Sequence, residues 1–181
     1  MSSTTIEDAV ELYRAIEIAK PGGLGAVDRY DANLKSSIQE IKDDGITLYE
    51  LMELSSSWDS IAKEWVTGMK VTFDVGFPTV VQTFEETNDI NAAVSQTFLK
   101  ILSEYPDTLI ARKINFETAE QVSELAKSAY SAGGVLTHRG YMKVREMDNK
   151  LREYGPKMNP GTTADITAAS TMVALLANLR F

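Results

Sequence analysis

The amino-acid sequence predicts an all-α protein, a compact multi-helix bundle with Gly/Pro-rich loops between the helices. Three observations carry that expectation. Apolar residues recur at three- and four-residue spacing in one segment after another, capping residues stand at the starts of those segments, and glycine or proline closes most of them. Capped segments of this length joined by short breaks argue for one all-α domain spanning residues 1–181.

The elements follow in order. Ile6, Val10, Tyr13 and Ile16 lie on one helical stripe, with Thr4 and Glu7 at capping-box spacing and Pro21-Gly22-Gly23 as the stop. Leu34, Ile38 and Ile41 mark a second helix that ends at Asp43-Asp44-Gly45. Thr47 and Glu50 form the next capping box, ahead of Leu48, Leu51, Met52 and Leu54. Asn88 is the expected cap of a helix carrying Ile90, Val94, Phe98, Ile101 and Leu102 up to Pro106. Thr118 and Gln121 open a helix with Val122, Leu125, Ala126 and Ala129, closed by Gly133-Gly134. Met147 and Leu151 belong to a helix that stops at Gly155-Pro156, and the last helix follows Thr162 or Thr163.

One stretch carries two periods. Met69, Val71, Phe73, Val75 and Phe77 alternate as a strand would, while Trp65, Met69 and Phe73 keep helical spacing. A lone strand would leave its backbone groups unpaired, so a helix is predicted. Trp58, Trp65, Phe73, Phe98 and Met147 read as core residues at helical spacing. Lys143, Arg145, Lys150 and Arg152 read as a solvated helix face shared with Glu146 and Glu153.

Composition narrows the function classes. The 181 residues include 26 acidic and 18 basic side chains, a formal charge of −8, so adhesion to duplex nucleic acid or to anionic lipid is not expected. There is no cysteine, which removes disulfides, thiolate nucleophiles and thiolate metal sites, and a single histidine, His138, removes multi-histidine centres. His138, beside Arg139 and ahead of a helix, is expected at the surface or in a cap. The charges at Glu7, Asp8, Glu11 and Arg14 exclude a signal peptide's apolar core, and the low-charge run Ile166 to Leu179 is too short to span a bilayer. A cytoplasmic protein is expected.

Three interhelical breaks look chemical. In Lys20-Pro21-Gly22-Gly23-Leu24-Gly25, followed by Asp28, Arg29 and Asp31, the glycines let a ligand approach the backbone, and Lys20 and Arg29 could pair with phosphate oxygens. The same residues could simply stop a helix and turn the chain. In Pro106-Asp107-Thr108-Leu109-Ile110-Ala111-Arg112-Lys113, Asp107 could cap a helix that presents Arg112 and Lys113 to a metal-bound phosphate, or the charges could merely be solvated. In Asn159-Pro160-Gly161-Thr162-Thr163-Ala164-Asp165, a turn runs into a helix start whose free N–H groups suit an anion. Asp165, three residues after Thr162, also fits a capping-box variant.

Taken together, these three stretches resemble the triphosphoribosyl-dephospho-coenzyme A synthase family, most of all its archaeal-type branch. The likeness runs from about Ile6 to the C-terminus and includes Gly68 through Gly76-Phe77-Pro78, and Asp148 followed by Leu151. It implies an all-α fold that binds ATP and transfers its triphosphoribosyl part to the ribose of 3′-dephospho-coenzyme A, or of a related precursor, releasing adenine. It further implies Asp107 and Asp165 as catalytic carboxylates, and Asp107, Asp165 and Asp28 as ligands of Mg²⁺. Lys20, Gly22, Gly23, Gly25, Arg112, Lys113, Asn159, Gly161, Thr162 and Thr163 would hold the nucleotide.

Full members carry a segment ahead of the matched region, with a further Lys-Pro-Gly motif and acidic residues. That segment is expected to be missing here, so the chain is expected to be a domain or fragment (the C-terminal part of a longer family architecture), one half of a split enzyme that a homo-oligomer or partner chain would complete, or a degenerate relative. The alternative alignment takes Lys20-Pro21-Gly22 and Val27-Asp28-Arg29 as that front motif, interrupted by Gly23-Leu24-Gly25-Ala26. Two rival readings are a non-catalytic nucleotide-binding subunit and a purely structural helical bundle.

Overall fold

The computed structural model describes residues 3–20 and 24–180, and the regular structure among them is helical throughout. The chain divides into two compact units, Met1–Gly68 and Met69–Phe181. No helix among the described residues is long and apolar enough to cross a membrane.

The first unit comprises α1 (Ile6–Ala19), α2 (Ser36–Asp44), α3 (Leu48–Ser55) and α4 (Ser60–Val66). Its core gathers Val10 and Tyr13 of α1, Tyr30, Ile41 of α2, and Leu48 and Leu51 of α3, with Trp65 packed against them. The capping box of α1 is one residue later than the spacing of Thr4 and Glu7 suggests: Thr5 and Asp8 bond reciprocally. Thr4 is committed elsewhere, its hydroxyl accepting the Tyr49 N–H at 2.9 Å. The box at Thr47 and Glu50 is present as expected, and Gly45 in the left-handed region ends α2. Lys20 is itself the left-handed cap of α1, while Pro21, Gly22 and Gly23 lie outside the described residues. Trp58 is 46% exposed, so it is not the core residue its spacing suggests.

The second unit opens with a helical turn that widens into a π-turn over Thr72–Gly76 and runs directly into α5 (Phe77–Thr87). The doubly periodic stretch is therefore helical, but of wider pitch. Thr72 and Gly76 face inward while Phe73 stays 49% exposed, against the expectation of burial. Gly76 abuts Ser170 so closely that no Cβ would fit. There follow α6 (Ile90–Glu104), α7 (Thr108–Lys113), α8 (Phe116–Ser131), α9 (His138–Glu153) and α10 (Gly161–Leu176).

Two helix starts in this unit are displaced from their predicted caps. Asp89, not Asn88, caps α6, and Asn88 is the left-handed terminus of α5. Asn115 caps α8 through the Thr118 N–H, which makes Thr118 the third residue of that helix rather than its cap. The main core joins Leu99 and Leu102 of α6, Ile110 of α7, Val122 and Ala126 of α8, and Met147 of α9. A short 3₁₀ turn at Gly134–Leu136 delivers the chain to α9. Buried Gln96 fixes that turn by accepting the Val135 N–H at 3.0 Å, and Gly140 of α9 lies directly on the Gly134 backbone.

Candidate functional site

The second and third chemical-looking breaks meet in the second unit. Asp107 caps α7, its Oδ1 accepting the N–H groups of Leu109 and Ile110 at 2.9 and 3.1 Å. Its Oδ2 accepts the N–H and the hydroxyl of Thr163 at 2.8 and 2.9 Å. Only 1% of Asp107 is exposed. One carboxylate thus caps two helices, and the positive end of α10 is satisfied by an anion from the protein itself. Thr162 is drawn into the same joint, its hydroxyl 3.2 Å from that of Thr108. Gly161 lies against Leu109, where a Cβ would come within 2.5 Å of Cδ2.

This joint differs from the predicted N-terminus of the last helix. The helix begins at Gly161 and follows Pro160, with no local side-chain cap, so Thr162 and Asp165 do not form a capping box. Thr162 and Thr163 are buried within the first turn, and their hydroxyls face α7 rather than open space. Asp165 is on the exposed side of α10.

Beside the joint lies an open groove of about 1230 Å³. Val94, Ser95 and Phe98 of α6 and Val144, Met147 and Leu151 of α9 line one part of it. Lys113 at the end of α7 and the Asn159-Pro160 turn border another. The polar edge of α9 supplies Tyr141, Arg145, Asp148 and Arg152. Arg152 donates to Asp148 at 2.8 Å, an exposed i,i+4 pair. Of the residues predicted for the nucleotide, Lys113 and Asn159 line the groove, while Arg112 is half-buried beside it in sequence but does not.

The sequence pattern places Arg145 and Arg152 on a merely solvated face. The missed signal is a stripe: Tyr141, Arg145, Asp148 and Arg152 are spaced by four, three and four residues, so they share one face of α9 next to the apolar stripe of Val144, Met147 and Leu151. His138 is exposed at the first position of α9, where Thr137 provides the cap.

The first chemical-looking break belongs to the first unit. Gly22 and Gly23 lie outside the described residues; Lys20 borders a small cleft of about 250 Å³ with Asn33 and Lys35. Gly25 has a φ of 75°, and its carbonyl accepts the Asn33 side chain at 2.6 Å. Asp28 is exposed. Arg29 is engaged with Glu40 at 3.2 Å and Asp44 at 2.5 Å and lies over the Tyr30 ring. Asp31 accepts the backbone and side-chain N–H groups of Asn33, and the backbone bond foremost holds its carboxyl below the ordinary carboxylate range. Burial, with the nearby Asp31 and Glu40 charges behind it, pushes the Tyr13 phenol up to about 12; its hydroxyl donates to the Tyr30 carbonyl.

Magnesium, which the resemblance implies, finds no ready cage. Among the described residues no three Asp, Glu, His or Cys side chains converge on one point. Asp107 is enclosed by the four hydrogen bonds given above, and among the described residues Asp148 is the one carboxylate lining the groove. Near this groove the charge of a polyphosphate would be met by Lys113, Arg145 and Arg152.

Comparisons with known proteins agree with one another. The family model CitG, described as ATP:dephospho-CoA triphosphoribosyl transferase, matches residues 1–180. A protein of Acinetobacter calcoaceticus described as a candidate 2-(5''-triphosphoribosyl)-3'-dephosphocoenzyme-A synthase is 26% identical over 104 residues, 58% of this chain and 35% of that protein. The 2-(5''-triphosphoribosyl)-3'-dephosphocoenzyme-A synthase of Klebsiella pneumoniae is 29% identical over 93 residues, 51% of this chain and 30% of its own length. The matched part thus spans about a third of these curated relatives. The crystal structure of a protein described as a candidate triphosphoribosyl-dephospho-CoA synthase of Archaeoglobus fulgidus superposes with a TM-score of 0.76 at 28% identity, covering 99% of this chain and 70% of that one.

Proposed function

The chain belongs to the CitG family of ATP:dephospho-CoA triphosphoribosyl transferases, and on that premise we propose that it binds ATP in the groove of its second unit and serves triphosphoribosyl transfer to 3′-dephospho-coenzyme A or a related precursor. The observation that carries this reading is the groove itself. It brings Lys113 and Asn159, from two of the family-like stretches, next to Arg145 and Arg152 over an apolar floor. Cations at the rim suit phosphate oxygens, and the apolar floor suits a base or sugar face.

In the transfer, a ribose hydroxyl of the acceptor attacks C1′ of the ATP ribose as the C1′–N9 bond breaks. The bonding pair leaves with adenine, which takes up a proton, and the hydroxyl proton is lost. Positive charge gathers at C1′ in the transition state, as in glycoside chemistry. Asp107 acts at a distance from this chemistry, as a positioning residue: by tying α7 to α10 it sets where Lys113 and the Asn159-Pro160 turn stand. Asp165, exposed on α10, is proposed to face the ribose. In the first unit, Lys20, Gly22, Gly23, Gly25 and Asp28 remain the residues proposed from the family-like glycine stretch.

Calorimetry with ATP, followed by an assay of adenine released in the presence of 3′-dephospho-coenzyme A, tests the reading. The expected result is binding heat that Arg145→Ala weakens strongly without loss of helicity, and adenine release that depends on the acceptor. Absence of binding heat with the unaltered chain refutes it. Binding without adenine release assigns the chain a nucleotide-binding role without catalysis.

A further inference from the structure

The groove is polarised along its length, and from this we infer that it holds the nucleotide in one direction, with the purine on the Tyr141 ring and the triphosphate at Arg152, Lys113 and Asn159. The inference rests on the groove being the nucleotide site. Tyr141 and Arg152 lie on one edge of α9, eleven residues apart, so the edge runs about 16 Å at 1.5 Å per residue. The backbone positions of the aromatic end and the far cation are thus separated on the scale of a nucleoside triphosphate rather than of its phosphates alone.

The two ends differ in chemistry. At the Arg152 end the chain turns through Gly155–Met158 into Asn159-Pro160, and α7, whose last residue Lys113 lines the groove, packs against that same turn, giving two cations and an amide for phosphate oxygens. At the other end Tyr141 stands on the second turn of α9 and shares the groove with apolar Val94, Phe98 and Val144. Tyr141 is 47% exposed although it lines a groove, which leaves ring surface for a flat partner. Purines stack on such rings regardless of hydrogen-bonding pattern. Arg145, one turn from Tyr141, then falls at the sugar and inner phosphate, and Asp148 falls between the two arginines. The opposite orientation would set the triphosphate among apolar side chains and leave the Lys113–Arg152 end facing an uncharged base.

The start of α9 anchors the backbone that carries this ring. Gly140, the residue before Tyr141, lies on the Gly134 backbone, and Thr137 caps the helix through the Gly140 N–H at 3.0 Å. A ring carried on an anchored turn costs no backbone ordering when a base stacks on it.

The test compares ATP with inorganic tripolyphosphate, which carries the phosphates and lacks the base, by calorimetry on the whole chain. Tyr141→Ala should weaken ATP roughly tenfold, the scale of one lost stacking contact, and leave tripolyphosphate unchanged. Tyr141→Phe should restore ATP affinity. Arg152→Ala should weaken both ligands. Circular dichroism of each variant checks the fold, which a half-exposed side chain should not control. If ATP binds the unaltered chain but Tyr141→Ala has no effect, or weakens both ligands alike, the orientation is wrong and the groove reading survives. If ATP does not bind the unaltered chain, both fall together.

Discussion

Asp107 Oδ2 accepts two hydrogen bonds from Thr163, one from its N–H at 2.8 Å and one from its hydroxyl at 2.9 Å, across 56 residues of chain. With the Leu109 and Ile110 N–H groups on Oδ1, this one buried carboxylate satisfies donors at the starts of α7 and α10. Both helices border the groove, through Lys113 and through Ala164, Thr167 and Ala168.

Asp107→Ala removes the anion and leaves four donors without it. Hydrogen bonds to a charged group contribute about 1.5–3 kcal/mol each and are not additive, so an overall loss of about 3 kcal/mol or more is expected. Urea denaturation followed by circular dichroism measures it. A loss below about 1 kcal/mol would show that the joint is not held by Asp107.

Gly161→Ala places a methyl group against Leu109 Cδ2, within 2.5 Å. Overpacking in a tight core costs roughly 1–3 kcal/mol, and because the atom met here is the end of the half-buried Leu109 side chain, a loss at the low end is expected. Shortening the neighbour should relieve it, so Leu109→Ala and Gly161→Ala together should cost less than the sum of the two. Simple additivity in a double-mutant cycle would place the strain elsewhere.

The helix caps differ in how far the local sequence alone specifies them. Thr47 with Glu50 was found because its box is isolated, whereas Thr4 beside Thr5 and Asn88 beside Asp89 offer two adjacent capping residues each, and helical periodicity tolerates a shift of one. The all-α fold needed only the periodicity and the breaks, and it was predicted correctly. The start of α10 was misplaced for a different reason: its cap comes from Asp107, far away in sequence, and no local pattern encodes that contact. Lys113 and Asn159 stand in two of the family-like stretches, which is what marks them in the sequence. Arg145 and Arg152 are not so marked, because salt-bridge spacing with Asp148 looks the same on a solvated face and at a groove edge.

The first unit should lose stability at high pH through Tyr13. Its folded-state pKa is raised, by burial first, to about 12 from an ordinary value of 10. Its contribution is therefore complete below pH 10 and disappears as the pH climbs through about 12. Tyr13→Phe removes the ionisable hydroxyl along with its bond to the Tyr30 carbonyl. The variant should be less stable at neutral pH, with a shallower fall in stability between pH 10 and 12 than the unaltered chain. Parallel curves in denaturation at stepped pH would contradict this assignment.

The central claim is that the second unit's groove receives the nucleotide, and a nuclear magnetic resonance titration of the isotope-labelled chain with ATP tests it most directly. Backbone amide shifts are expected to concentrate on Ser95, Lys113, Asn159 and the α9 edge from Tyr141 to Arg152, saturating together with a single dissociation constant. Saturable shifts confined to residues away from this groove, with those amides unmoved, would contradict it.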